Sequence, residues 1–139
     1  FEAGNVTVDG DSVKLRQVLH NLVKNGLEAV AECARPEVIV RSSVDEVAGC
    51  RFVQFCIQDN GSGIATEMLG KVFDPYVTSK QRGTGLGLAI VKKIVDEHEG
   101  GIWVANAGDG GAIVIMRLPL SGQRDNCRKM PEPNFGKET

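Results

Sequence analysis

Gly83-Thr84-Gly85-Leu86-Gly87-Leu88 has the composition and spacing to hold an anion. Alternate glycines let the backbone approach a charged group closely and take left-handed dihedrals. The apolar periodic stretch that follows, Ala89-Ile90-Val91-Lys92-Lys93-Ile94-Val95, places a helix start directly behind the run. A helix start directs unpaired N–H groups and a positive dipole end outward, so the pair forms a phosphate cradle and implies a nucleotide. Spacing excludes two other phosphate loops. A dinucleotide-binding loop needs its third glycine one residue later and a strand immediately before the first, whereas Gly83 follows the polar Ser79-Lys80-Gln81-Arg82. A P-loop ends in Gly-Lys-Ser or Gly-Lys-Thr, and here Gly87 is followed by Leu88. A flexible surface loop has the same composition, so the run gains weight only with support from elsewhere in the chain.

Three other segments carry side chains suited to the same ligand. Asn21 and Asn25 lie four residues apart within Asn21-Leu22-Val23-Lys24-Asn25-Gly26-Leu27-Glu28-Ala29, and on a helix they share one face. They read either as a solvated polar stripe or as donors of neutral hard oxygen to Mg²⁺, an ion that usually shares its shell with waters and substrate phosphates. Asp59-Asn60-Gly61-Ser62-Gly63 follows the apolar Phe55-Cys56-Ile57. It reads either as a plain turn or as a carboxylate placed to accept a hydrogen bond from adenine N6, where guanine would offer a repelling carbonyl. Between Phe73 and Gly83, Lys80 and Arg82 are either solvated loop charges or cations that close over a terminal phosphate.

These groups need a scaffold, and 139 residues with 42% hydrophobic content suffice for one compact domain. A net charge of −2 and the lack of a basic stripe with interleaved aromatics argue against a nucleic-acid or anionic-membrane surface. Neither a signal-peptide pattern nor a membrane-length apolar run is present, and the chain opens on Phe1 rather than Met, as expected of a processed or excised piece. Cys33, Cys50, Cys56 and Cys127 have no metal-binding spacing; Cys56 reads as a small buried hydrophobe, and a reducing cytoplasm fits best.

Periodicity predicts a short strand over residues 5–8, then a helix capped near Asp11 whose apolar positions Val13, Leu15, Val18, Leu19, Leu22, Val23, Leu27 and Val30 run to about Cys33. Alternating strands over 37–45 and 51–59 form a hairpin. A short helix over 67–72 and a longer one from the glycine run to about Glu97 follow, then strands over 102–105 and 112–118. Helices interleaved with hairpins predict an α/β (α+β) two-layer sandwich, its sheet mixed or antiparallel and packed on helices. Residues 1–120 form the domain; 121–139, polar with Pro131 and Pro133, read as a disordered tail or linker.

In order, the four segments resemble the catalytic and ATP-binding domain of sensor histidine kinases. Their superfamily, with its Bergerat-type fold, includes DNA gyrase, the MutL mismatch-repair ATPases and a heat-shock chaperone. The resemblance covers residues 11–120: an Asn box from Asn21 to Ala29, a first glycine box from Asp59 to Gly63, a Phe box at Phe73-Asp74-Pro75-Tyr76, and a second glycine box from Gly83 to Leu88. The Phe73-to-Lys80 wording with a short lid is most similar to nitrogen-regulation and oxygen-sensing kinases. The resemblance implies ATP and Mg²⁺ as ligands, Asn25 on the metal, Asn21 supporting the same region and Asp59 on the adenine amine. It also implies Gly61 and Gly63 against the base, Gly83, Thr84, Gly85, Leu86, Gly87 and Leu88 around the phosphates, Lys80 on the γ-phosphate and Phe73 at the base of the lid.

Asn21 separates branches of that superfamily. Hydrolytic relatives and the anti-sigma serine kinases carry a Glu there as general base, and an amide offers no proton acceptor near neutrality. Neutral imidazole already presents a lone pair, so the resemblance implies phosphoryl transfer to histidine, catalysed by positioning, Mg²⁺ and lid cations. The acceptor would sit on a separate dimerising helical hairpin of a dimeric parent, with a response regulator downstream. The chain's own His20 lies within a helix, and His98-Glu99 falls where the family shows His-Gly-Gly. Glu99 at that left-handed position costs about 1 kcal/mol unless Gly100 takes over as the helix stop. Glu28 is either a family-compatible acidic position or a solvated one. An ATPase with an unconventional base and a degenerate nucleotide-binding module are the rival readings.

Overall fold

The computed structural model describes residues 6–74, 87–108 and 110–135. The first helix, α1 (Ser12–Ala29), starts where Asp11 caps it, its Oδ1 accepting from the backbone N–H of Val13 at 3.0 Å and of Lys14 at 3.1 Å. Val18, Leu22 and Gly26, one turn apart, are its buried stripe. The helix stops short of Cys33. Val30 departs from helical dihedrals, and the next N–H groups close shorter turns, Ala31 onto Glu28 and Cys33 onto Val30.

Four strands follow in sequence as β1 (Val38–Val47), β2 (Cys50–Asp59), β3 (Gly101–Asn106) and β4 (Ala112–Pro119). They pair in the order β1-β2-β4-β3, antiparallel at every step, so the sheet over these residues is antiparallel rather than mixed. The first hairpin is tighter than periodicity suggests: Val47 pairs with Cys50 across only Ala48 and Gly49, both at positive φ, 52° and 82°. That is the backbone twist a two-residue hairpin requires.

Alternation along the strands splits the sheet into two faces. Val53 and Ile57 of β2, Ile102 of β3, and Met116 and Leu118 of β4 face the helices. There they pack with Val18 and Leu22 of α1 and with Val91, Ile94 and Val95 of α2 (Gly87–Glu97), which completes the two-layer sandwich. The expected helix over 67–72 forms as a 3-10 helix, Thr66–Lys71. The expected strand over 5–8 does not form among its described residues, although Val6 and Val8 pack on the core and Ser121 N–H donates to Thr7 O at 2.8 Å. No described helix is long and apolar enough to cross a membrane.

Beyond α2 the chain turns on Glu99 itself, at φ 58°. Glu99 N–H reaches Asp96 O and Gly100 N–H reaches Val95 O, both at 3.0 Å, the paired bonds of a left-handed helix stop with a non-glycine residue in the glycine place. Gly100, next to it, has no room for a side chain, since a Cβ there would lie 2.4 Å from Arg117 O.

The sheet's other face is covered by the C-terminal segment, which corrects the expectation of a disordered tail over 121–139 for its described part, 121–135. After a 3-10 turn at Asp125–Cys127, Cys127 is joined to Cys50 by a disulfide and Met130 is buried beside Phe52. Arg117, only 5% exposed, lies over the Phe52 ring at 4.4 Å. It donates to Gln54 Oε1 at 2.8 Å and to Pro131 O at 2.6 Å. Phe135 packs with Ile113 and Ile115. The segment lacks an apolar period because its described residues form no strand or α-helix, only a three-residue 3-10 turn; isolated anchors suffice where a sheet face already awaits cover. Cys56 is half-buried rather than buried, and with Cys50 and Cys127 paired, cysteine usage no longer argues for a reducing compartment.

Candidate nucleotide-binding site

Asn21 and Asn25 lie half-buried along α1, beside its buried stripe. Gly26 draws the helix close to the sheet: a Cβ there would meet Val38 Cγ1 at 3.3 Å. The first glycine loop leaves β2 at Asp59 and passes over the C-terminal end of α1, where a Cβ on Gly61 would lie 2.5 Å from Ala29 O. Ala29 is one turn beyond Asn25, so the loop is seated on the same end of the helix as the candidate metal-binding amide. A side chain at position 61 would displace it.

Asp59 is half-buried, and its carboxylate is oriented by the backbone. Oδ1 accepts from Gly61 N–H at 2.9 Å and from Ala112 N–H at 3.2 Å, while Oδ2 accepts no hydrogen bond from a described residue. One oxygen therefore anchors the group and fixes its orientation. Gly111, at φ 81°, crosses so near that a Cβ there would lie 1.9 Å from Asp59 O. Asn60 ties the loop's near end to the segment before β1, its Oδ1 accepting from Glu37 N–H at 2.9 Å and its Nδ2 donating to Arg35 O at 2.7 Å. At the far end Asn106 Oδ1 accepts from Ile64 N–H and Asn106 Nδ2 donates to Ile64 O, each at 2.7 Å. Sequence reasoning gave no role of their own to Asn60, Asn106 and Gly111. The available signal was an Asn or Gly at the mouth of a strand, where a side chain or a bare Cα must settle a turn.

Gly87 and Leu88 form the N-terminus of α2, both half-buried. That turn carries no acidic residue to compete for its N–H groups and positive dipole end. Lys80, Arg82, Gly83, Thr84, Gly85 and Leu86 lie outside the described residues. Phe73, just ahead of them, is half-buried against the core. Among the described residues no group of three His, Cys, Asp or Glu could cage a metal. An amide oxygen from Asn25 would be one donor of a coordination shell, and that fits an ion that arrives with phosphates and waters, as Mg²⁺ does.

His98 is not placed as a phosphoacceptor. His98 is 5% exposed with both ring nitrogens engaged: Nδ1 donates to Ile94 O at 2.8 Å and Nε2 accepts from Asp11 N–H at 3.0 Å. It fastens the end of α2 to the cap of α1, and Gly10 must be glycine-sized because a Cβ there would lie 2.3 Å from the ring. His20 is exposed on α1.

Known proteins share this arrangement. The family of histidine kinase-, DNA gyrase B- and HSP90-like ATPases matches residues 10–122. An NtrY-like sensor histidine kinase from Rickettsia bellii is 37% identical over 79% of this chain and 17% of its own length. The sensor histidine kinase ZraS of Klebsiella oxytoca is 37% identical over 84% of this chain and 24% of its own. This chain thus spans roughly a fifth of such relatives. Among solved structures, the catalytic domain of the histidine kinase ThkA superposes with a TM-score of 0.64 at 36% identity, covering 81% of this chain and 70% of that one. Full-length ShkA in complex with AMPPNP superposes with a TM-score of 0.69 at 27% identity, over 83% of this chain and 23% of that one. With the antiparallel sheet on two helices, the glycine loop seated on α1 and relatives of this kind, the chain belongs to the histidine kinase-, DNA gyrase B- and HSP90-like ATPase family, as a domain of the sensor histidine kinase type.

Proposed function

We propose that this domain binds ATP with Mg²⁺ and transfers the γ-phosphoryl group to a histidine on a separate dimerisation and phosphoacceptor domain of a two-component kinase. The observation that carries the reading is the seating of the Asp59 loop on α1 one turn beyond Asn25, with an amide rather than a carboxylate at position 21. Asp59 Oδ2 accepts a hydrogen bond from the adenine 6-amino group, and Gly61 and Gly63 let the backbone pass close to the base. Asn25 supplies an amide oxygen to the metal, and Asn21 supports the same region. Mg²⁺, when bound, neutralises charge on the phosphates. Gly83, Thr84, Gly85, Leu86, Gly87 and Leu88 enclose the phosphates, and Lys80 meets the γ-phosphate.

The chemistry asks little of the domain beyond placement. An imidazole nitrogen of the acceptor donates its lone pair to the γ-phosphorus as the bond to the ADP oxygen breaks, and the ring then gives up the proton on its other nitrogen to water. No general base is needed for that nucleophile, in keeping with Asn21. A hydrolytic reaction would need one. The acceptor domain, a dimeric parent and a response regulator downstream complete the proposal, with this domain in the cytoplasm, where ATP is supplied.

Calorimetric titration of the chain with AMPPNP and the corresponding guanosine analogue, each with and without Mg²⁺, tests nucleotide binding. Incubation with ATP and an isolated histidine-hairpin domain tests transfer. Adenine-selective, Mg²⁺-enhanced binding and label on the hairpin are expected. Steady release of inorganic phosphate by the chain alone, with no label on the hairpin, would instead make it an ATPase.

A further inference from the structure

The hydrogen bonds around Asp59 run across the sheet to a strand that no sequence motif singles out. Asn106 is the last residue of β3, and β3 does not touch β2 because β4 lies between them. The line across the sheet is nevertheless continuous: Asn106 is paired with Ala112, Ala112 N–H donates to Asp59 Oδ1, and the loop leaving Asp59 ends at Ile64, both of whose backbone polar groups are held by the Asn106 carboxamide. The side-chain amide thus stands in for a missing strand partner, closing a two-bond ring on one residue.

That ring also determines the path of the loop. A Cβ on Gly63, which sits at φ 80°, would lie 2.8 Å from Asn106 Oδ1 and 3.3 Å from Gly111 O. The glycine is therefore tied to the presence of Asn106 beside it. Between this far anchor and the close approach of Gly61 to Ala29 O the loop is held at both ends, and Gly61 N–H is one of the two donors that orient the Asp59 carboxylate.

We propose that Asn106 is a positioning residue for base selection: by clamping Ile64 it fixes the loop that aims Asp59, so preference for an amine-bearing purine depends on a side chain that itself touches no nucleotide. The inference rests on the reading of Asp59 as the base-recognising group. Asn106→Ala removes both bonds, and Asn106→Asp keeps the acceptor for Ile64 N–H while placing a carboxylate oxygen against Ile64 O.

The test measures affinity of the full chain for AMPPNP and for the inosine analogue IMPPNP, whose base has an oxygen where adenine has the amine. Five proteins are compared: the parent chain, Asn106→Ala, Asp59→Asn, the double variant, and Asn106→Asp as the second substitution at the clamp. Loss of aim should lower the AMPPNP-over-IMPPNP ratio about five- to ten-fold in Asn106→Ala, the size of effect one oriented hydrogen bond supports. Adding Asn106→Ala to Asp59→Asn should change the ratio no further, because both act through one contact. A purely structural Asn106 would weaken both nucleotides equally and leave the ratio intact. That result, with the ratio still collapsing in Asp59→Asn, overturns the proposal and spares the reading of Asp59. An unchanged ratio in Asp59→Asn itself overturns both. Should Asn106→Ala not fold, Asn106→Asp decides: a lowered ratio supports the clamp, and an unchanged ratio overturns it.

Discussion

Cys127→Ser removes the covalent hold of the C-terminal segment on the sheet and should cost much of the domain's stability. The bond joins residues 77 apart in sequence, Cys50 at the head of β2 and Cys127 in the final 3-10 turn. For a loop of that length the chain-entropy relation gives about 4.5 kcal/mol. The realised loss should be smaller, about 3 kcal/mol, because an unfolded chain retains some compactness and natural values centre on 2–4. Met130 buried against Phe52 and the Arg117 bond to Pro131 O would still favour docking without the bond. With 139 residues and an unfolding entropy of roughly 2.1 cal/mol/K per residue, that loss lowers Tm by about 10 °C. The assay is thermal unfolding by circular dichroism, with and without a dithiol reductant. The parent chain should fall by that amount on reduction; Cys127→Ser should start at the lower Tm and be insensitive to reductant. Cys50→Ser combined with Cys127→Ser should match the single variant, since both remove one bond. If the oxidised parent and Cys127→Ser melted within about 2 °C of each other, the segment would contribute nothing through this closure and the entropy argument would fail.

Other variants probe the site and its frame. Asn25→Ala should weaken nucleotide binding in Mg²⁺ by about ten-fold or more while leaving metal-free binding nearly unchanged, and equal losses in calorimetry under the two conditions would remove it as a ligand. Gly61→Ala forces a Cβ to within 2.5 Å of Ala29 O, so the loop must lift from α1. An overpacking cost of about 1–3 kcal/mol should appear as a lower Tm together with weaker AMPPNP binding, and unchanged affinity would detach the loop's seat from recognition. Glu99→Gly relieves a non-glycine residue at φ 58° and should raise stability in denaturant by about 0.5–1 kcal/mol. The Arg124–Glu99 pair it breaks, at 3.9 Å between largely exposed side chains, is too weak to reverse that gain. His98→Ala should lower Tm, because it empties a buried position and leaves Asp11 N–H and Ile94 O without their ring partner.

The sequence by itself determined the parts whose information is local. Val18 and Leu22, two of the apolar positions that recur with the helical period, are buried in α1, although Val13 and Leu27 of the same pattern are exposed, and the strand alternation from Arg51 to Asp59 survives as β2. The ordered boxes identified the family because their chemistry is written in adjacent residues: a glycine is needed where the backbone approaches another group, and an Asn or Asp where an oxygen must be offered. Hydrogen-bonding and packing partners distant along the chain are a different kind of information. Only the tertiary structure decided that β4 inserts between β2 and β3, and with it that Asn106 and Ala112 converge on the loop of Asp59. It likewise decided that His98 closes on Asp11, 87 residues away, instead of facing solvent as a phosphoacceptor would. The segment after residue 120 is the sharpest case. Its polar composition predicts disorder, yet Cys127, Met130 and Phe135 are enough to dock it, because the apolar surface they need is contributed by β2, β3 and β4 rather than by the segment itself. Periodicity reports what a stretch of chain can bury on its own; it is silent about a surface that a distant stretch already presents.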